Sequence, residues 1–161
     1  MRTRWRCLRV LAEPVRVEES ASFAVSRSAA EVWDFMWDPR SLLVLEEGVT
    51  AAMTLPGTPA GRVGEVQVSV RGAGADRHLV ALEVVALEPG RMAYTRTISD
   101  PMDIGGRLVV EPTGESSCRM TQTFHQVLPE WMDSAGVDIA RAGLRQALAE
   151  LEARVLAHFA S

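Results

Sequence analysis

The chain has 161 residues, of which 47% are hydrophobic, and a formal net charge of −4. That length suits one domain with a real core. The acidic balance rules out nucleic acid as the default partner, and no apolar run reaches the roughly 20 residues that span a bilayer, so stable membrane insertion is not expected.

The first dozen residues carry Arg2, Arg4, Arg6 and Arg9 around Trp5 and Leu8. They lack the uninterrupted apolar stretch of a signal peptide. Residues 1–14 are read as a tail, with an interfacial membrane arm or an early start codon as the alternatives. The domain is expected to run from 15 to 161.

Arg16 to Val25 mixes β-branched and aromatic residues with polar neighbours, a first strand. Ser28 followed by Glu31 is a capping box, so a helix starts there, with Val32, Trp33 and Met36 on one face and Pro39 at its end. Arg40 to Leu45 adds a further turn closed by Gly48.

Strands follow. Thr50 to Leu55 precedes a Pro/Gly turn. Val66, Val68 and Val70 alternate with Glu65, Gln67 and Ser69, the period of a half-buried strand. Gly72 to Asp76 is a turn, Leu79 to Leu87 a strand apolar on both faces, and Glu88–Pro89–Gly90 a tight turn. Met92, Tyr94, Arg96 and Ile98 then alternate with Ala93, Thr95 and Thr97. Asp100 to Gly106 reads as a loop, Arg107 to Val110 as a strand, and Pro112 to Glu115 as a turn. In the last strand, Cys118 to Val127, Met120, Gln122 and Phe124 share one face and Thr121, Thr123 and His125 the other.

Val137, Leu144, Leu148, Leu151, Val155 and Phe159 fall on one stripe of a long final helix, which Ala140 and Ala147 widen. Asp133 or Ser134 caps its start. An amphipathic helix of that length must bury its stripe. The sum is an α+β chain: a curled antiparallel sheet of about seven strands around the C-terminal helix, with two short helices after the first strand.

That order, with SRSAAEVWDFMWDP on the first helix (Ala30, Val32 and Trp33), LEPGRMAYTR (Leu87 to Arg96) and CRMTQTF (Cys118 to Phe124), resembles the START-like superfamily. Its helix-grip fold is shared with the birch-pollen allergen. The resemblance covers about Val17 to Phe159 and is closest to the bacterial branch described as polyketide cyclase or dehydrase. One departure is that Leu42 to Gly48 contains no aromatic, where many bacterial members carry a Trp.

The resemblance implies a cavity between sheet and long helix that takes an apolar or aromatic molecule, lipid or polyketide-like. A cyclase or aromatase working by acid–base chemistry in that cavity is the alternative, and an interaction module with a filled cavity the third reading. The markers identify a fold rather than an activity. No Ser/His/Asp set or phosphate-cradling glycine loop is present, so catalytic residues stay unassigned.

The ligand-binding candidates are Met36, Tyr94, Arg96, Met102, Gln122, Phe124, Arg141 and Leu144. Tyr94, the only tyrosine, shares a face with Met92 and Ile98, which places its ring inward. It either orients a ligand carbonyl or is a core tyrosine bonded at the rim. Arg96 on that face needs a carboxylate partner, the cavity mouth or an anionic ligand. Gln122, between Met120 and Phe124, is a polar anchor in an apolar wall or is satisfied by backbone. Arg141 and Leu144 lie near the start of the long helix, where the fold puts the cavity. The arginine meets a ligand carboxylate or snorkels to solvent. Met36 and Met102 read as core or lid. His125, on the opposite face, reads as solvated.

Cys7 and Cys118 have no metal-like spacing and fit a reduced, cytoplasmic setting, and the three histidines form no cluster, so no metal or cofactor is expected. A homodimer is compatible with the sequence.

Overall fold

A computed structural model describes residues 14–98 and 103–160. Seven strands form one antiparallel sheet: β1 (Val15–Val25), β2 (Val49–Thr54), β3 (Val66–Arg71), β4 (His78–Glu88), β5 (Met92–Thr97), β6 (Ile104–Gly114) and β7 (Ser117–Leu128). Their order is β1-β7-β6-β5-β4-β3-β2, so every connection but the one from β1 joins sheet neighbours. Between β1 and β2 lie α1 (Ala29–Trp37), a 3₁₀ turn at Pro39–Ser41, and α2 (Leu42–Leu45). The last element is α3 (Ser134–Ala160). Register shifts at Val84/Ala86 and Pro112/Gly114 add local bending, and the sheet curls into a helix grip.

Period-two alternation assigns the faces. Phe23, Val25, Ala93, Leu108, Val110, Cys118 and Met120 are buried on the concave side, together with Val32 and Trp33 of α1 and Val155 of α3. α3 lays its weight on β1 and β7 and touches α2. Leu148 and Val155 are its buried residues, while Val137, Leu144, Leu151 and Phe159 are half-buried along the same stripe. Ala147, expected on that stripe, is exposed. At about 100° per residue it falls past the edge of a stripe that only Leu148 and Val155 bury fully. The far end of α3 meets α1: Phe35 stacks on His158 at 4.0 Å and meets Phe159 edge-on at 5.3 Å.

The caps act as read. Asp133 starts α3, its Oδ1 accepting the Gly136 N–H at 2.8 Å. At α1, Ser28 Oγ accepts from the Glu31 amide at 3.3 Å and Glu31 Oε2 accepts from the Ser28 amide at 3.1 Å. The Ser28 hydroxyl, which donates to Glu31 Oε2 at 2.6 Å, and then the Ser28 amide hold the Glu31 carboxyl below its usual range. Ser28→Ala removes one half of the box and should lower the melting temperature by about 2–4 °C. Differential scanning calorimetry measures the shift, and an unchanged melting temperature would mean that packing alone sets the start of α1.

Two boundaries differ from the sequence reading. Residues 104–106, read as loop, belong to β6, because Gly105 and Gly106 pair in register with His125 and Phe124 and make room for the side chains across from them. Pro112, read as a turn residue, is also in β6, beside the register shift that tolerates a missing donor, so the turn shrinks to residues 115–116.

Candidate functional site

The concave face is covered unevenly. α3 sits over β1 and β7, α1 over β6 and β7, and the stretch of sheet formed by β3, β4 and β5 carries the side chains left between them. There the inward residues are small or polar: Gln67 and Ser69 on β3, Thr95 and Thr97 on β5. Leu82 and Val84 of β4 lie among them. One register row runs Val84, Thr95, Gly106, Phe124 across four strands, and the next runs Leu82, Thr97. Val84 is fully buried, yet Leu82, Phe124 and Leu144 each keep part of their apolar surface accessible. Hydroxyl and amide groups thus lie beside half-buried apolar side chains on the concave floor.

Gly106 keeps this floor low. A Cβ there would stand 3.0 Å from Gln122 Nε2 and 3.1 Å from Phe124 Cδ1. Gln122 is 7% exposed and its Nε2 donates to the Thr123 carbonyl at 3.2 Å. At the β2–β3 end of the sheet a hollow of about 340 Å³ lies between the end of α1 and the β2–β3 turn, lined by Trp37, Thr54, Gly61 and Glu65 among others. The Glu65 carboxylate is almost wholly buried. It accepts from the Gly61 amide, from Gln67 Nε2 at 2.9 Å and from Thr54 Oγ1 at 3.4 Å, and Gln67 also reaches the Trp37 carbonyl at 3.3 Å. A buried carboxylate with several donors fixes the turn against α1.

The structure gathers Gln122, Phe124 and Leu144 on the concave side, as expected, with Met36 packed against the core beneath α1. It separates the rest. Tyr94 stands opposite Arg107, which stands opposite Thr123, so its ring lies on the convex face and not inside. The buried residue of that strand is Ala93, and the inward positions are the small ones, whereas Ile98 is exposed. Arg96 shares the convex face and pairs with Glu83 at 3.3 Å. Arg141 reaches Glu19 at 3.6 Å, alongside Arg145 at 3.3 Å, so the carboxylate it meets belongs to the chain. Met102 lies outside the described residues, as does the tail 1–13.

Sequence reasoning missed His125. Its strand face was read correctly, but the residue is 1% exposed because Gly105 opposite leaves its ring a seat. The glycine pair before Arg107 was the available signal. Burial first, and then the Arg16 charge, push its pKa below the usual histidine value. Among the described residues no group of three or more acidic, histidine or cysteine side chains could hold a metal. No described helix is long and apolar enough to cross a membrane.

Residues 14–156 match the family described as polyketide cyclase / dehydrase and lipid transport. The chain belongs to this family. Solved structures share its fold. Norcoclaurine synthase from Thalictrum flavum, as a point mutant with a transition-state analogue, superposes with a TM-score of 0.65 at 14% identity, over 91% of this chain and 96% of that one. A START superfamily protein from Mycobacterium smegmatis gives 0.65 at 15%, over 86% and 96%. The di-domain ARO/CYC StfQ from the steffimycin biosynthetic pathway gives 0.68 at 12%, over 89% of this chain but 50% of its own. A comparison with curated proteins finds no significant match. The family is one of hydrophobic-ligand-binding folds.

Proposed function

We propose that the protein binds a small apolar or aromatic molecule, lipid or polyketide-like, in the groove between β3–β6 and α3. The observation that carries this reading is the accessible apolar surface of Leu82, Phe124 and Leu144 beside a floor of small and hydroxyl side chains. A closed core would bury those residues. Gln122, held by the Thr123 carbonyl, stands at the same wall and supplies a polar point for a ligand carbonyl or hydroxyl. Cyclisation in the same groove is the second reading, favoured by the di-domain ARO/CYC neighbours. Binding is preferred over catalysis because the neighbours of Gln122 on the concave face, Ala21, Leu108, Met120 and Phe124, include no acid–base pair.

A fluorescent polycyclic aromatic dye should bind with a dissociation constant on the order of micromolar. Leu82→Trp, which fills the groove from the β4 side, should abolish binding while the protein still melts cooperatively. Equal affinity in the filled variant would place the dye elsewhere and remove the proposal. Time-dependent conversion of a linear poly-β-ketone, lost in the same variant, would move the conclusion to the cyclase.

A further inference from the structure

The convex face holds a polar cluster that an apolar ligand in the groove does not use. Arg16, Glu18, Tyr94, Arg107, Thr123 and His125 line a hollow of about 270 Å³ there. Register explains the hollow. Gly105 stands opposite His125, so the imidazole settles over bare backbone, and Arg107 stands between Tyr94 and Thr123. The Tyr94 hydroxyl is 3.4 Å from His125 Nε2. Its hydrogen bond to Arg16 is the main cause that raises the Arg16 pKa, and Arg16 in turn donates to Glu18 at 3.1 Å. Glu18, Arg16, Tyr94 and His125 are thus one connected chain of polar contacts.

We propose that this hollow is a binding site for a small oxyanion, a carboxylate or a phosphate group, held between the guanidinium groups of Arg16 and Arg107. The Tyr94 and Thr123 hydroxyls supply further donors. Two guanidiniums face a single carboxylate among the lining groups, so the hollow is locally positive on a chain whose net charge is −4. Among the described residues no carboxylate pairs with Arg107, whereas Arg96, its neighbour on the same face, is paired with Glu83. A guanidinium fork matches a carboxylate or phosphate edge with two parallel hydrogen bonds.

His125 makes the site report its own occupancy. The charged groups around the ring are Arg16 and Glu18 on β1, Asp103 just before β6, Arg107 in it, and Arg96 on β5. An anion seated between the two guanidiniums offsets the Arg16 charge that disfavours the imidazolium. Anion binding and protonation of His125 are then coupled: each favours the other, and affinity rises as pH falls.

The test uses the full chain with ¹⁵N-labelled histidine, titrated with inorganic phosphate and separately with benzoate, with chloride at matched ionic strength as control. The expected result is a saturable shift of the His125 ring nitrogens at concentrations on the order of millimolar and an upward move of its apparent pKa. Arg107→Gln should weaken binding roughly tenfold or more without moving the melting temperature, because the side chain is exposed and pairs with no carboxylate among the described residues. The same variant should bind the polycyclic dye normally, which separates this site from the groove. A response to phosphate alone assigns the phosphate class, and to benzoate alone the carboxylate class. A shift that chloride reproduces, that never saturates, or that Arg107→Gln leaves unchanged overturns the site.

Discussion

Deleting residues 144–160 should leave a chain that no longer unfolds cooperatively. Leu148 and Val155 are buried against the sheet, and Leu144, Leu151 and Phe159 extend the same stripe. A fully buried aliphatic side chain contributes about 1.5–3 kcal/mol, and a domain of this kind is stable by about 5–15 kcal/mol in all. Two full burials and several partial ones therefore amount to much of the total. The loss also uncovers the partners: Val25, Phe23 and Met120 on the sheet and Phe35 on α1 would face water together. The arginines of α3 matter less. Arg141 and Arg145 lie against Glu19 with largely exposed side chains, and exposed pairs are worth little. Urea denaturation followed by circular dichroism and by tryptophan fluorescence is the measurement. Coincident, sigmoidal transitions in the truncated chain would show that β1–β7 and α1 form a core without α3.

The features visible in the sequence were those set by period and caps. Six intervening strands and a final helix follow from alternation, from turn residues, and from a stripe that only a helix brings into line. The capping box at Ser28 and the cap at Asp133 are local chemistry, complete within four residues. Which face of a strand looks inward is different, because it depends on partners far away in the chain. On β5 the apolar residues Met92, Tyr94 and Ile98 suggested an inward face, and the structure turns Ala93, Thr95 and Thr97 inward instead. On β3 the valines Val68 and Val70 likewise face out, and Gln67 and Ser69 face the concave side. A surface meant to leave space is lined with small and polar side chains, so the hydrophobicity rule inverts where the candidate site lies. The same cause hid the convex cluster: Gly105 looks like a loop residue until the ring of His125 is known to lie across it.

Gly105→Ala should be clearly destabilising, and Gly143→Ala should be mildly stabilising. The two substitutions are chemically identical, so the surroundings decide the sign. At Gly143, on the exposed side of α3, an added Cβ meets nothing within 4 Å. Alanine there gains about 1 kcal/mol of helix propensity, a rise of about 2–4 °C in a domain this size. At Gly105 the added Cβ would stand 2.5 Å from the Thr95 carbonyl oxygen and press on the His125 ring. The oxygen is backbone of the adjoining strand and cannot rotate away; the ring can leave only by giving up its seat beside Tyr94. Overpacking of this kind costs about 1–3 kcal/mol and sometimes more, which outweighs the gain from stiffening the unfolded chain, about 0.4–1 kcal/mol. A drop of roughly 5–10 °C in the melting temperature is expected. The histidine gives a second reading that stability alone does not. Once displaced toward water it loses the burial that holds its pKa down, so His125 in Gly105→Ala should titrate closer to the ordinary imidazole value. An alanine variant that melts like the parent, with His125 still titrating low, would mean that β6 and β5 are not in the register that puts Gly105 beneath the ring.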